Sequence, residues 1–288
     1  MELPIDGAVL RRLASWGASR GPEWFVRYAP PVIGVAAWAV AGRERRALAE
    51  NLRRVRGPRA ALRDAVDGAR TFATYASCLT EILRAGDGRG ALPGGVVWGE
   101  LHVIDALAKG RGVILVTAHT AGWETVGPLL SRDHGRRVMI AMRAERDPRA
   151  RRIQDAAREA HGLIVMHVGD DPLAALPMIR HLRHGGVVAL QIDRAPAGMR
   201  TRTVKIFGRV GSMPEGPLRL SAMTGAPVVP IFAARLAHRS YRVEAFRPIL
   251  LSRHAGAAEL DAAAQQVAEA LASFVGRHPT QWFHFHGS

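Results

Sequence analysis

Cysteine is nearly absent from the 288 residues, and Cys78 stands alone. No disulfide can close within the chain, and no thiolate cluster can hold a metal. Lysine is almost as scarce, at Lys109 and Lys205 only, so the positive charge is carried by arginine. Part of that arginine richness, alongside abundant alanine and glycine, reflects compositional habit rather than function. Long apolar runs are missing too. The uncharged stretch "YAPPVIGVAAWAVAG", from Tyr28 to Gly42, falls short of the roughly 20 residues of a spanning helix. No H-E-x-x-H zinc helix and no phosphate-binding G-x-x-x-x-G-K-[ST] loop occurs, and the G-x-S-x-G match Gly17-Ala18-Ser19-Arg20-Gly21 follows no apolar strand, as a nucleophile elbow must. Common hydrolase and nucleotide-hydrolase chemistries are therefore excluded. The start, "MELPIDGAVLRRLASWG", lacks a basic region followed by an apolar core and a small-residue cleavage site, so no secretory signal is expected.

What remains is a globular composition. Hydrophobic residues make up 48% and charged residues 23%, enough for a sizeable core in one large domain or two modest ones. The 40 basic against 25 acidic side chains leave a net charge of +15. That excess favours acidic partners: anionic lipid, nucleic acid or an acidic carrier protein. The arginines are scattered, and no helix-turn-helix, zinc or stacking-platform pattern accompanies them, so nucleic acid is the weakest of the three.

The first sixty residues differ from the rest. They carry Trp16, Trp24 and Trp38 with Phe25 and Tyr28, and arginines from Arg11 and Arg12 to Arg53 and Arg54. Aromatics and arginines around a short apolar helix suit a segment lying in a membrane interface. The plainer alternative is a helix packed on the core. Two helices follow, broken at Pro58, with Leu48, Leu52 and Val55 and then Phe72, Tyr75, Leu79 and Ile82 at helical spacing. The expected division is residues 1–60 as an N-terminal helical, interfacial region and 61–288 as an α/β domain.

After Gly95 short strands and helices alternate. "GVVWG", "GVILVTA", "RVMIAM", "LIVMHV", "GVVALQI", "TVKIFG", "PVVPIFAARL" and "YRVEAF" read as strands. "ELHVIDALAKG", "DPRARRIQDAAREAHG", "PEGPLRLSAMTG" and "AAELDAAAQQVAEALASFVGRHP" read as helices, with two more from Trp123 and from about Asp171. This alternation predicts an α/β fold around a largely parallel sheet.

One strand ends in chemistry. "VILVTAHTAGWE" carries His119 out of an apolar run and places Glu124 five residues later. In α/β sheets functional groups gather where strands give way to loops. Neutral imidazole takes a proton from a hydroxyl near neutral pH, and does so better when a carboxylate holds its other nitrogen. The short loop containing Gly122 is expected to fold back so that Glu124 reaches the ring. That would be a base and its orienter with no protein nucleophile, leaving the substrate hydroxyl to attack. The competing reading is a buried, hydrogen-bonded histidine, with Trp123 wedging its helix into the core. His284 and His286 alternate as on a strand, and His181 and His184 share a helix face, but neither pair has a third ligand. No metal and no bound cofactor is expected.

"GRGVILVTAHTAGWETVGPLL" resembles the His-x4-Asp/Glu block of the glycerolipid acyltransferases. The resemblance is closest to the branch of lipid A lauroyl and myristoyl transferases and phosphatidylinositol mannoside acyltransferases. That branch typically reads H-x-G-N-W-E, where this chain has Ala121-Gly122 for the Gly-Asn pair. "MIAMRAERDPRARRIQDAAREAHG" is similar to its second block, and "HGGVVALQIDRAPAGMRTRTVKIFGRVGSMPEGPLRLSAMTGAPVVPIF" to its third and fourth. "QWFHFH" is similar to its close, so the likeness runs from about Asn51 to His286.

The resemblance implies a glycerol-3-phosphate-acyltransferase-like sheet flanked by helices, with an N-terminal membrane-docking region. It implies acyl transfer from an acyl-carrier protein or acyl-CoA to a hydroxyl or amine of a lipid, at the cytoplasmic face of the inner membrane. His119 would deprotonate the acceptor, Glu124 would orient the ring, and Asp193 is a second carboxylate for the same histidine. Gly122 amides or Arg158 would stabilise the oxyanion. Trp123, Arg143, Arg194, Phe207, Gly208 and Pro230 fall at matching positions and are expected to line the substrate site. A fold that has kept lipid binding and lost turnover is the alternative that the retained His119 and Glu124 oppose.

Overall fold

The computed structural model describes residues 17, 20–86, 94–143, 148–168, 173, 175–195 and 198–285; Arg11, Arg12, Trp16, the expected helix start at Asp171, and His286 lie outside them. Three helices come first: α1 (Glu23–Val40), α2 (Gly42–Arg56) and α3 (Ala61–Gly86). α1 buries Val26, Pro30 and Gly34, a stripe at four-residue spacing, against α3. A side chain at Gly34 would come within 2.4 Å of the Phe72 carbonyl oxygen, so glycine lets the two backbones close. The uncharged run begins at Tyr28 and holds two prolines near its start. α1 starts at Glu23, ahead of that run, and continues through Pro30 and Pro31. Packing of the buried stripe overrides the two lost amide donors. No single helix among the described residues is long and apolar enough to cross a membrane, although α1 and α2 together pass by length and composition across a 98° bend. The helices continue through Gly86, as the spacing of Phe72, Tyr75, Leu79 and Ile82 predicts.

The rest alternates as the pattern predicts. The elements are β1 (Gly94–Trp98), α4 (Glu100–Ala108), β2 (Val113–Thr117), α5 (Trp123–His134), β3 (Val138–Arg143), α6 (Pro148–Glu159), β4 (Leu163–Val168), α7 (Ala175–Arg183) and β5 (Val187–Gln191). They continue as β6 (Thr201–Ile206), β7 (Arg209–Pro214), α8 (Gly216–Thr224), β8 (Val228–Ala237), β9 (Ser240–Ala245) and α9 (Ala257–Arg277). Seven strands form one sheet in the order β1-β9-β8-β2-β5-β3-β4. Every neighbouring pair is parallel except β8 and β9. "TVKIFG" is the first strand of a hairpin whose second strand, β7, the sequence pattern missed; the two pair apart from the main sheet. Its turn is Phe207-Gly208, with φ of +51° and +72°. Positive φ at both central residues is what a type I′ two-residue hairpin loop demands.

β2 is buried at all five positions, because the sheet is covered on both faces. On one face Leu115, Val113, Ile140 and Val187 pack under Val126, Leu129 and Leu130 of α5. On the other, Ile114, Val116 and Val188 pack under α7, α8 and α9, including the fully buried Leu260 and Phe274. Each such large side chain contributes roughly 1.5–3 kcal/mol. The chain leaves β2 toward α5 on the first face and leaves β5 toward α8 on the second. The ends of these neighbouring strands therefore form a switch point, where a crevice opens in α/β sheets.

Candidate functional site

The parallel register of β2 and β5 runs from Val113 opposite Val187 to Thr117 opposite Gln191. The Ile192 amide donates to the Thr117 carbonyl at 2.9 Å, which extends the pairing beyond the strands. Two residues past each strand end, His119 and Asp193 meet. His119 Nδ1 lies 2.8 Å from Asp193 Oδ1, and the His119 backbone amide donates to Oδ2 at 3.1 Å. The Trp282 indole N–H donates to the same Oδ2 at 3.0 Å. The Asp193 side chain is 1% exposed. Burial opposes its charge, but His119, Arg194 and the Trp282 indole outweigh burial and hold the carboxyl well below the usual carboxylate range. A buried carboxylate on Nδ1 fixes the ring and keeps its proton there. Nε2 then carries the lone pair, and it has no hydrogen-bond partner among the described residues.

The carboxylate on the ring is thus Asp193 and not Glu124. Gly122, at φ +79°, caps α5. A Cβ there would lie 2.1 Å from the Tyr241 ring, so the loop is pressed against β9 and does not fold back. Glu124 sits in the first turn of α5 and accepts from Arg158 Nη2 of α6 at 2.8 Å. Arg158 also faces Asp155 at 3.8 Å, and Asp155 bonds His167 Nε2 of β4 at 2.8 Å. Trp123 stands beside the histidine, ring centroids 6.1 Å apart. The Ala121 amide donates to the Gln281 carbonyl and the Trp123 amide to the Thr120 carbonyl, so these amides are occupied.

The "QWF" segment is a strap over this loop. The Gln281 side chain bonds both the amide and the carbonyl of Arg235, at 2.6 and 3.0 Å, as a neighbouring strand would. The Phe283 amide donates to the His119 carbonyl at 2.7 Å. Arg194, expected to line the substrate site, donates to the Phe283 carbonyl at 2.7 Å and so holds the strap. Phe207 lies against Trp282, centroids 5.8 Å apart, which explains why a bulky residue is held at positive φ beside Gly208. Asn51 ties α2 to the strap through the His284 carbonyl at 2.7 Å. Under the loop, the buried Glu81 carboxylate takes the Tyr241 hydroxyl at 2.6 Å and Arg235 at 2.7 and 3.0 Å. Burial pushes the neighbouring Cys78 thiol up to about 12, so it is inert.

The structure does not bring every expected residue to the histidine. Pro230 is inside the sheet, opposite Val116. Arg143 closes β3, and its side chain lies outside the described part. Gln281, Trp282 and Tyr241 were not singled out as site residues. The "QWF" close was the one signal for the first two, and nothing local to the sequence marks the third. A cavity of about 20 Å³, room for one water, lies between α5 and the sheet. Thr117, Gln191, Trp123, Val126, Ile140 and Met142 are among the residues around it.

Fold and site together define an α/β protein with a histidine held by a buried aspartate at a sheet's switch point. The sequence profile of the bacterial lipid A biosynthesis acyltransferases matches residues 15–288, and the chain belongs to that family. The phosphatidylinositol mannoside acyltransferase of Mycobacterium tuberculosis is 28% identical over 192 residues, covering 65% of this chain and 57% of its own length. That of Mycolicibacterium smegmatis is 28% identical over 134 residues, 45% of this chain and 42% of its own. The chain therefore spans 57% or less of the length of these mycobacterial relatives. The solved 1-acyl-sn-glycerophosphate acyltransferase of Thermotoga maritima superposes with a TM-score of 0.40 at 16% identity, over 78% of this chain and 86% of its own.

Proposed function

We propose that this protein docks on a membrane surface and moves a fatty acyl group from an acyl thioester to a hydroxyl or amine of a lipid. The observation that carries the reading is the 2.8 Å contact from Asp193 to His119 Nδ1, which leaves Nε2 to act. The acceptor O–H or N–H gives its proton to Nε2 as its heteroatom attacks the thioester carbonyl. The carbon–sulfur bond then breaks, and the thiolate leaves with the proton that His119 returns. Asp193 holds the ring and stabilises the imidazolium. Trp123 and the strap wall the base. The Arg158–Glu124 pair fixes the start of α5 beside it.

Docking rests on the outer face of α1. Trp24, Tyr28, Val32 and Val40 are exposed, Val32 by 69%. α1 and α3 run antiparallel, Glu23 pairing with Arg84 and Trp38 lying over Gly68. Leu62 and Val66 at the start of α3 are exposed as well. Arg27 lies over Tyr28 at 5.3 Å and Arg45 over Trp38 at 5.5 Å, placing cations at the rim of the α1 face as an anionic headgroup layer favours. Acyl-CoA and acyl-carrier protein are both acidic donors suited to a chain of net charge +15. Both point to the cytoplasmic leaflet of the inner membrane. The test is lipid profiling of cells carrying the wild type, His119→Ala or no gene. One acylated lipid present only with the wild type is expected. The same lipid restored by His119→Ala would refute the assignment.

A further inference from the structure

Beside the Trp123 indole, the polar side chains lining the cavity under Trp123 are Thr117 and Gln191, and each holds an unsatisfied atom. Thr117 Oγ1 and Gln191 Nε2 are buried and have no hydrogen-bond partner among the described residues. Thr117 is 6% exposed. No other side chain with a buried unpartnered polar atom lines this space. The two belong together because Thr117 and Gln191 are register partners at the ends of β2 and β5, and register partners in a parallel pair point to one face. That face is the α5 side, shared with Leu115 and Ala189 two residues earlier in each strand. The pair lies one rung before His119 and Asp193, which meet two residues further along the same two strands. An unpaired buried donor is costly, and where native proteins keep one it usually has a task.

We propose that Thr117 and Gln191 bind an oxygen carried by the acyl donor near its thioester end. The inference rests on the acyl-transfer reading above. A hydroxyl and a carboxamide N–H converge on a space the size of one oxygen-bearing group, next to the base and within an apolar wall that suits the adjoining methylenes. The backbone amides of Ala121 and Trp123 are already engaged, and Arg158 is paired with Glu124. Thr117 and Gln191 are thus the two lining side chains that, among the described residues, hold a buried polar atom without a partner. Two acyl oxygens fit this chemistry. One is the thioester carbonyl oxygen, which becomes an oxyanion when the acceptor attacks and returns to a carbonyl when the carbon–sulfur bond breaks. The other is a hydroxyl on the chain close to the thioester.

The test uses purified full-length protein, with vesicles made from the lipids of a strain lacking the gene. Donors are palmitoyl and 3-hydroxypalmitoyl groups, each on CoA and on acyl-carrier protein. The variants are Gln191→Leu and Thr117→Val, close in volume to the residues they replace, and each is scored for transfer rate and for urea midpoint. The expected result is at least a hundredfold fall in kcat for Gln191→Leu and a smaller fall for Thr117→Val, with the midpoint unchanged or higher. Stability is not lost because each variant removes a polar atom that is unpaired in the free protein. A fall with both acyl groups identifies the carbonyl oxygen as the ligand. A fall with the hydroxyacyl donors alone identifies the chain hydroxyl. Rates within threefold of wild type with every donor would overturn the proposal whatever the midpoint, and a lower midpoint beside them would show that the pair anchors only a structural water. A wild type that transfers no acyl group from any donor, in an assay that a known acyltransferase passes, would overturn the acyl-transfer reading and this one with it.

Discussion

Replacing Asp193 by asparagine keeps the side chain's shape and inverts its hydrogen-bond logic. Oδ2 accepts two N–H groups, the His119 amide at 3.1 Å and the Trp282 indole at 3.0 Å, while Oδ1 faces His119 Nδ1 alone at 2.8 Å. The asparagine keeps its oxygen where two donors point and turns its NH₂ toward Nδ1. Nδ1 must then accept, so the ring proton moves to Nε2 and the base loses its lone pair. A tautomer fixed the wrong way costs on the order of 10⁴ in rate. Neutral hydrogen bonds in place of charge-assisted ones at this buried position cost about 1–3 kcal/mol of stability. The pH dependence has a definite sign. The folded Asp193 pKa lies below that of the unfolded chain, near 3.9. Its contribution is therefore complete above about pH 4 and is lost as pH falls from there toward the depressed folded value. The urea-midpoint gap between wild type and Asp193→Asn should narrow through that acid window and stay constant above it. Initial rates of acyl transfer on vesicles of the deletion strain's lipids measure the first effect. A variant that transfers within tenfold of wild type would refute the argument, because the ring's tautomer would then not be set by Asp193.

Trp282→Phe removes one hydrogen bond to the buried carboxylate and should cost about 1.5–3 kcal/mol by urea unfolding, with a smaller rate loss than Asp193→Asn because His119 still holds Oδ1. Gly122→Ala meets the Tyr241 ring at 2.1 Å at a φ of +79°; about 2–4 kcal/mol is expected, and wild-type stability would show that the loop is not pressed on β9. Arg158→Met leaves Glu124 without its partner; both side chains are under 20% exposed, so about 1–3 kcal/mol is expected after allowing for solvent screening. Binding to anionic vesicles should weaken steeply as salt rises from 0.05 to 0.5 M, an illustrative range that shortens the Debye length from about 14 to 4 Å. Trp24→Ser with Val32→Ser should weaken it at every salt concentration. Salt-independent binding would locate the membrane contact elsewhere.

Local sequence determined the alternation of strands and helices, because period and punctuation are properties of neighbouring residues. "VILVTA" reads as a buried strand, and the chain folds it so. It also placed His119 at a strand end, where an imidazole can meet a substrate, and the ordered blocks pointed to the family. The prolines of α1 and the second strand of the β6–β7 hairpin were not legible, since packing on α3 and pairing between strands decided them. Tertiary structure alone chose which carboxylate holds the histidine. Glu124 is five residues away, yet the helix start and Tyr241 turn it to Arg158. Asp193 is 74 residues away, yet the crossover order makes β5 the neighbour of β2 and puts its carboxylate on the ring. Sequence separation sets which contacts are local, whereas strand order and register set which side chains meet.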